Sequence, residues 1–338
     1  MKVLITGGAG FIGVNAAHRF IKEGYEVIIF DNLFRRGTDK NLAWLKGEGK
    51  FHFIKGDVRN FEELRACFLS HKDISVVLHL AAQVAVTTSV TDPREDFEIN
   101  AFGTFNVCEA VRRFAPGAAF LNASTNKVYG AMEDLDIIEK KGKYLYKTGR
   151  KGISEKRPLD FHSPYGCSKG SADQYVIDYA RIYGLKTVDF RQSCIYGPHQ
   201  FGIEDQGWVA WFIISAVLGK TINIYGDGKQ TRDILYVEDL VDVYFRAVQN
   251  IDKVGGRVYN VGGGAKNVLS LLELVSMLNG LTGKKIRCEF GDWRPGDQKT
   301  FVCDISKAKR DLNWAPRVNA KDGIKRLFEW VSENKDIF

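Results

Sequence analysis

The sequence predicts an α/β chain, a Rossmann-like doubly wound parallel sheet with a smaller mixed C-terminal substrate lobe, on three observations. Lys2 to Thr6 is a short apolar run that breaks into Gly7-Gly8-Ala9-Gly10-Phe11-Ile12-Gly13 and resumes as an amphipathic helix. Short apolar runs then alternate with helical patterns as far as Gln192, the rhythm of parallel strands joined by crossover helices. Beyond it the rhythm loosens into scattered strands, helices and turns. The expected division is residues 1–192 as the dinucleotide-binding domain with the reactive groups and 193–338 mainly as the substrate lobe, some of whose segments return to the first domain.

Composition narrows the function. With 338 residues, 45% hydrophobic and 26% charged, the chain can bury a large core and is not of disordered composition. The net charge of +7 comes from lysines and arginines interspersed with acids, which supports neither a nucleic-acid nor a membrane-surface role but suits a phosphate-bearing substrate. The cysteines (Cys67, Cys108, Cys167, Cys194, Cys288, Cys303) form no close pairs, so no metal site or disulfide framework is expected, and they read as buried small residues in a reducing compartment. Lys2 leads straight into strand and glycines without a signal region, and no apolar run approaches the roughly 20 residues of a bilayer span. A cytoplasmic location is expected.

In the glycine turn, Gly7 allows the tight bend, Gly10 lets the backbone approach a pyrophosphate, and Gly13 lets the helix opened by Phe11 and Ile12 lie against the strand; Gly24 closes that helix. A second strand, Glu26 to Phe30, ends in Asp31-Asn32, an acid 18 residues past Gly13 and placed for the diol of an adenosine ribose. A carboxylate there repels a 2′-phosphate, which favours NAD over NADP. Arg35 and Arg36 follow closely and could take such a phosphate or be solvated loop charges. A third strand, Phe51 to Lys55, ends in Gly56-Asp57-Val58-Arg59, where Asp57 could bond an adenine amino group and Val58 pack on its ring, or Asp57 could cap a helix over Glu62 to Ser70. The fourth strand, Ser75 to Leu80, is almost continuously apolar, as a strand buried on both faces is, and breaks at Ala81-Ala82-Gln83, small residues against which a cofactor can lie. A helix over about Asp96 to Phe114 carries Asn100, able to bond the chain near the site. The fifth strand, Ala118 to Asn122, delivers Ser124-Thr125 at its C-terminal end, where open parallel sheets place ligands. After Tyr129-Gly130, the charged stretch Met132 to Lys156 has few apolar anchors and reads as a long, mobile surface loop over the site.

Tyr165 and Lys169 stand four residues apart on a helix that Ser163 is placed to cap and Pro164 to start, which sets a phenol beside an ammonium. The helix's positive end and Lys169 are expected to lower the phenol pKa and make Tyr165 a general base, with Thr125 sharing the substrate alcohol. Taken alone, the pair could equally be a surface pair. The helix runs to Tyr183 and a sixth strand follows at Thr187 to Gln192, then the loop Cys194-Ile195-Tyr196-Gly197-Pro198. The smaller lobe is expected to hold a helix over Trp208 to Leu218, strands at Ile222 to Tyr225 and about Val258 to Val261, and helices near Leu269 to Leu278 and Ile324 to Val331. Arg232, Arg294 and Asp297 stand near its breaks. Two arginines beside turns suit a diphosphate, although each alone would as readily be a surface ion pair. Gln83, His162 and Trp208 could line the sugar space and Tyr225 the base, but His162 could simply flank its helix and Trp208 and Trp211 could be core aromatics.

The GxxGxxG turn, the Asp31 strand end, Ser124-Thr125 with Val128-Tyr129-Gly130, and the Tyr165/Lys169 pair together resemble the extended short-chain dehydrogenase/reductase family of nucleotide-sugar epimerases and dehydratases, over nearly the whole chain. The resemblance implies bound NAD, Thr125 as catalytic hydroxyl, Tyr165 as base, and Lys169 as the residue that lowers its pKa and binds the nicotinamide ribose. It implies cofactor contacts from the glycine turn, Asp31, Asn32, Asp57, Val58, Leu80 to Gln83, Asn100 and Ser124. For a nucleoside-diphosphate sugar it implies Gln83, Thr125, Tyr165, Cys194, Trp208, Tyr225, Arg232, Arg294 and Asp297. Cys194 departs from an asparagine common in relatives, and a thiol bonds phosphate only weakly. The stretches Asp160 to Lys169 and Gln200 to Val209 are most similar to the CDP-tyvelose 2-epimerases (CDP-paratose 2-epimerases) of that family. Asn126-Lys127 stand where its 4,6-dehydratases carry an Asp-Glu pair, so the acid that would protonate a leaving hydroxyl is missing. The resulting expectation is inversion at C2 by transient oxidation with bound NAD. A 4-epimerase using the same proton-transfer group is the alternative, and a non-catalytic NAD-binding relative a lesser one, since a binding module has no need of Thr125, Tyr165 and Lys169. A homodimer or homotetramer, packed through the helices near Asn100 and Tyr165, is the family's usual state.

Overall fold

Short strands, most of them buried almost continuously along their length, build the central sheet. In a computed structural model describing residues 1–149, 151–294 and 297–338, seven strands pair in parallel throughout. Five of them are β1 (Lys2–Thr6), β2 (Glu26–Asp31), β3 (His52–Lys55), β4 (Ile74–His79) and β5 (Ala119–Thr125), and the others span Lys186–Gln192 and Arg257–Val261. The spatial order is Arg257–Val261, Lys186–Gln192, β5, β4, β1, β2, β3. β1 is flanked by β2 and β4, with Thr6 opposite both Phe30 and His79. The chain reverses direction across the sheet there, and such a switch point opens a crevice at the C-terminal strand ends.

Because side chains alternate across a strand, Val3 and Ile5 face one helical layer and Leu4 the other. The first layer includes helix α1 (Phe11–Lys22) and the helix Val237–Gln249, which the sequence reading did not anticipate; the second includes Gly103–Phe114 and Ser163–Tyr183. Each fully buried Val, Leu, Ile or Phe in these layers contributes about 1.5–3 kcal/mol. The smaller lobe has its own core of Ile213, Ile222, Ile234, Leu274, Ile324 and Leu327. Its helix Leu271–Thr282 starts on a reciprocal cap, with Ser270 Oγ accepting Glu273 N–H at 3.2 Å and Ser270 N–H donating to the Glu273 carboxylate at 2.9 Å.

Several expectations are corrected. The strand Arg257–Val261 is not part of the smaller lobe; it extends the main sheet by pairing with Lys186–Gln192, because its buried Tyr259 and Val261 complete the first core layer. The stretch Met132 to Lys156 is no loose loop. It forms an antiparallel hairpin, Ile137–Lys140 with Lys143–Tyr146, anchored by buried Met132, Tyr146 and Ile153 around Phe301 and Cys303. The helix expected over Asp96–Phe114 is three pieces: Pro93–Phe97, a π turn at Glu98–Phe102, and Gly103–Phe114. The wider turn sets Asn100 inward, as π turns at functional sites often do. Of the cysteines, Cys67, Cys108 and Cys303 are buried as expected, Cys194 and Cys288 are half-buried, and Cys167 is exposed on the outer face of its helix.

Candidate active site

At the crevice, the glycine turn is held by close approach. A Cβ on Gly7, whose φ is 69°, would lie 2.6 Å from Ala81 N, and one on Gly13 would lie 2.3 Å from Gly7 O. A Cβ on Gly10 would meet only Gly7 O, at 3.2 Å, so the outer side of the loop stays open. The N–H groups of Phe11 and Ile12 lie in the helix's first turn, where they have no carbonyl acceptor within the helix, and no acid stands in that turn. Asp31 is buried, its carboxylate accepting Ala9 N–H at 3.0 Å and Leu33 N–H at 2.8 Å; burial raises its pKa and these bonds oppose the rise. Asn32 donates to Asp57 at 3.0 Å. The helix after β3 is capped by Asn60 rather than Asp57, whose carboxylate instead grips Arg59. Val58 packs in the core against Gly103. Arg35 is drawn to Gln206 at 3.0 Å, and Arg36 to the backbone carbonyl of Phe338.

β5 carries Thr125 as its last residue, and the helix Ser163–Tyr183 brings Tyr165 to it, the Thr125 hydroxyl hydrogen-bonding the phenol. His162 rather than Ser163 stands at the N-cap, and Ser163, the first residue of the helix, accepts Gly166 N–H on its Oγ at 3.2 Å. Tyr165 and Lys169 are 8% and 4% exposed, so they are not a surface pair. The expected lowering of the phenol pKa is overturned: burial drives Tyr165 up to about 12, and the Thr125 bond only partly offsets this. Lys169 is turned to the Ala123 carbonyl at 2.6 Å, and its own pKa is lowered by burial against the pull of Asp189, Asp173 and Asp96.

Buried polar groups brace these residues. Asn100 exchanges two bonds of 3.0 Å with the backbone of Gln83, and the Gln83 amide donates to Asp96 at 2.7 Å. Asp96 also accepts from Ser168 of the helix Ser163–Tyr183. Ser124 donates to Asp173 at 2.9 Å, and Arg191 holds both Asp173 oxygens at 2.8 Å. His79, between Thr6 and Thr104, is pushed by burial down to about 3 and is neutral. Leu80, Ala81 and Ala82 follow β4 between the glycine turn and this network, half-buried.

On the far side of Thr125, Arg232 meets Asp297 at 2.6 Å, Lys127 approaches the same oxygen at 3.7 Å, and Trp208 Nε1 donates to Cys194 Sγ at 3.5 Å. Arg294 lies in a second group, its guanidinium 4.1 Å from the Tyr225 ring centre and 2.9 Å from Asp205, while the Tyr225 hydroxyl donates to Glu204 at 2.6 Å. Pro295 and Gly296, between Arg294 and Asp297, lie outside the described residues. His162 is exposed and faces Asp160 at 3.1 Å. Lys127, Asp96 and Glu204 were not picked out as site residues. Adjacency to Thr125 was a signal for Lys127, whereas nothing in the sequence joined Glu204 to Tyr225.

Fold and site together define a dinucleotide-dependent enzyme of the short-chain dehydrogenase/reductase type, with Ser/Thr, Tyr and Lys at the sheet's switch point. A family model described as GDP-mannose 4,6 dehydratase matches residues 4–327. The chain is 45% identical over 337 residues to a CDP-paratose 2-epimerase of Salmonella typhi, covering 98% of this chain and 99% of that one. It superposes on a UDP-glucuronic acid 4-epimerase from Bacillus cereus, in complex with UDP-glucuronic acid and NAD, with a TM-score of 0.85 and 30% identity over 99% of this chain and 100% of that one. For a dTDP-glucose 4,6-dehydratase from Bacillus anthracis in complex with NAD, the TM-score is 0.83 with 29% identity over 100% and 98% of the two chains. The chain belongs to this family of NAD-dependent nucleotide-sugar epimerases and dehydratases, and it is an epimerase with NAD as cofactor. Among the described residues, no helix is long and apolar enough to cross a membrane.

Proposed function

We propose that this protein is a nucleotide-sugar 2-epimerase of the CDP-tyvelose/CDP-paratose type. The observation that carries the reading is the group beside Thr125, which is Lys127 and not an acid. The nearby carboxylate, Asp297, is pushed up by burial, but Arg232 and Lys127 outweigh that and hold it below the usual carboxylate range. It is thus a poor proton donor to a leaving hydroxyl, which favours inversion over dehydration. The relative at 45% identity, named a CDP-paratose 2-epimerase, supports C2 over C4.

NAD fits the crevice through the open side of Gly10, the Phe11 and Ile12 amides and Asp31, with Lys169 toward the ribose beside the nicotinamide; when bound, it supplies the acceptor and donor of one hydride. The chain's own groups manage the proton. Tyr165 takes the C2 hydroxyl proton, Thr125 holds the same oxygen, and Tyr165 returns the proton after the sugar has turned. Because burial holds the phenol at about 12 in the cofactor-free protein, Tyr165 must be a phenolate when it takes the proton, and the cationic nicotinamide of bound NAD together with Lys169 would draw its pKa down to allow this. Arg232 and Arg294 hold the diphosphate, with Cys194, Trp208 and Tyr225 around it.

Tyr165→Phe should abolish epimerisation and keep NAD bound, and deuterium at C2 of the substrate should remain in the product. Deuterium lost to solvent would sink the redox route, and product NMR showing inversion at C4 would replace C2 with the second reading, a 4-epimerase. We further propose a cytoplasmic homodimer or homotetramer. Exposed Phe97, Phe102, Tyr175, Ile182 and Tyr183 on neighbouring helices support a second copy as the partner there, and a monomeric mass in solution would exclude it.

A further inference from the structure

We propose that Lys127 is a substrate-binding residue whose ammonium takes an oxygen of the sugar-proximal phosphate and so holds the pivot about which the sugar turns; this rests on the nucleotide-sugar reading above. Its position is set from both ends. Lys127 N–H donates to Thr125 Oγ1 at 3.2 Å, so its stem starts at the reacting hydroxyl. Its Nζ ends 3.7 Å from Asp297 Oδ1, the oxygen that Arg232 Nη2 meets at 2.6 Å. One side chain thus spans from the proton-transfer group to the guanidinium on the diphosphate side.

That short span matches the connectivity of the substrate. In a nucleoside-diphosphate sugar, C2 is separated from the nearer phosphorus only by C1 and the glycosidic oxygen, whereas C4 lies across the ring. Oxidation at C2 therefore needs a phosphate contact close beside the catalytic hydroxyl, and oxidation at C4 needs one a ring's width away. Lys127 supplies the first arrangement.

Local charge points the same way. Lys127 and Asp297 keep 21% and 24% of their side chains exposed beside Arg232, which is buried at 8%. Arg232 repels the Lys127 ammonium and adds to the effect of burial on it, with Asp297 opposing. A phosphate oxygen near both cations relieves that repulsion. Cys194 stands in the same field, and its thiol, already met by Trp208, is a weak hydrogen-bonding partner, which leaves the cations to hold the anion.

The test is calorimetric titration of NAD-loaded protein with CDP and with CMP, UDP serving as a parallel probe, on wild type, Lys127→Met and Lys127→Gln. CMP lacks the sugar-proximal phosphate. Both variants should bind CDP at least about 10-fold more weakly while CMP affinity changes less than about 2-fold, with NAD content and thermal midpoint as in wild type. Unchanged CDP affinity, or equal loss for CDP and CMP, would overturn the assignment of Lys127. Wild-type protein that binds neither CDP nor UDP would instead overturn the CDP-sugar reading on which the assignment rests. Should one variant fail to fold, the other carries the comparison.

Discussion

Replacing Arg191 with methionine tests whether the buried polar stack under the active site is a matter of charge. Arg191 and Asp173 are 5% and 0% exposed by side chain, two guanidinium bonds of 2.8 Å join them, and a third bond of 3.2 Å reaches the Tyr129 hydroxyl. Asp189 lies against Asp173, and its pKa is pushed well up, first by burial and then by that neighbour. Methionine fills much of the space but strands Asp173, and breaking a buried pair from one side costs about 3–5 kcal/mol. In wild type, burial pushes Asp173 up but Arg191 outweighs it, so its pKa is depressed and its contribution is present above the unfolded value and lost as pH falls through the folded one. Without Arg191 the folded pKa of Asp173 rises above the unfolded value, and stability is lost as pH increases through it. The difference between the two proteins therefore grows with pH, by at least about 1 kcal/mol between pH 5 and pH 8. Guanidinium chloride unfolding of cofactor-free protein at about those two pH values, followed by tryptophan fluorescence, reads this directly. A cost under about 1 kcal/mol, or one equal at both pH values, refutes the electrostatic account. Adding Asp173→Asn should recover much of the loss.

Other perturbations reach the rest of the molecule. Gly13→Ala puts a methyl 2.3 Å from Gly7 O, a backbone clash that must lever α1 off the turn, so purified protein should lose most of its NAD by chromatographic assay while its far-ultraviolet spectrum stays near wild type. In cofactor-free protein the Tyr165 phenol, held at about 12, should contribute no phenolate absorbance below about pH 10 relative to Tyr165→Phe, and loading with NAD should bring that signal to lower pH; phenolate at neutral pH in the cofactor-free form would contradict the burial argument. Tyr196 is 1% exposed and, among the described residues, its hydroxyl has no hydrogen-bond partner, so Tyr196→Phe should be neutral or stabilise by about 1 kcal/mol, and a loss above that would reveal a partner.

Local signals made the sheet and the placement of Thr125, Tyr165 and Lys169 readable from sequence. The glycine turn, the acid ending β2 and the apolar run of β4 each depend on neighbours within a few residues. Thr125 followed from the rule that ligands gather at C-terminal strand ends, and Tyr165 and Lys169 from their four-residue spacing on a helix together with the family resemblance. What escaped depends on distant partners. The hairpin Ile137–Tyr146 looked like loop because its anchors, Phe301 and Cys303, come far later in the chain. The strand Arg257–Val261 carries no mark of which sheet it joins. The state of Tyr165 was misjudged because helix position and Lys169 are visible in sequence, whereas the depth of burial that outweighs them is not. Lys127 was noticed only as a missing acid, since Asp297 and Arg232 meet it solely in three dimensions.

The hairpin also bears on how the sugar can turn. The chain leaves the end of β5 just after Thr125, is sewn to the smaller lobe by Tyr144 N–H on the Lys229 carbonyl at 3.0 Å, by Lys143 on Glu273 at 2.9 Å and by Ile153 N–H on the Val302 carbonyl at 2.8 Å, and only then returns to Tyr165. Thr125 and Tyr165, the groups proposed to share the substrate's alcohol, are thus the two ends of one suture. Swinging the lobe outward would tug on both at once and spoil their alignment. On the proposed mechanism, the oxidised sugar would then turn without an outward swing of the lobe, through torsions of the diphosphate rather than about a hinge.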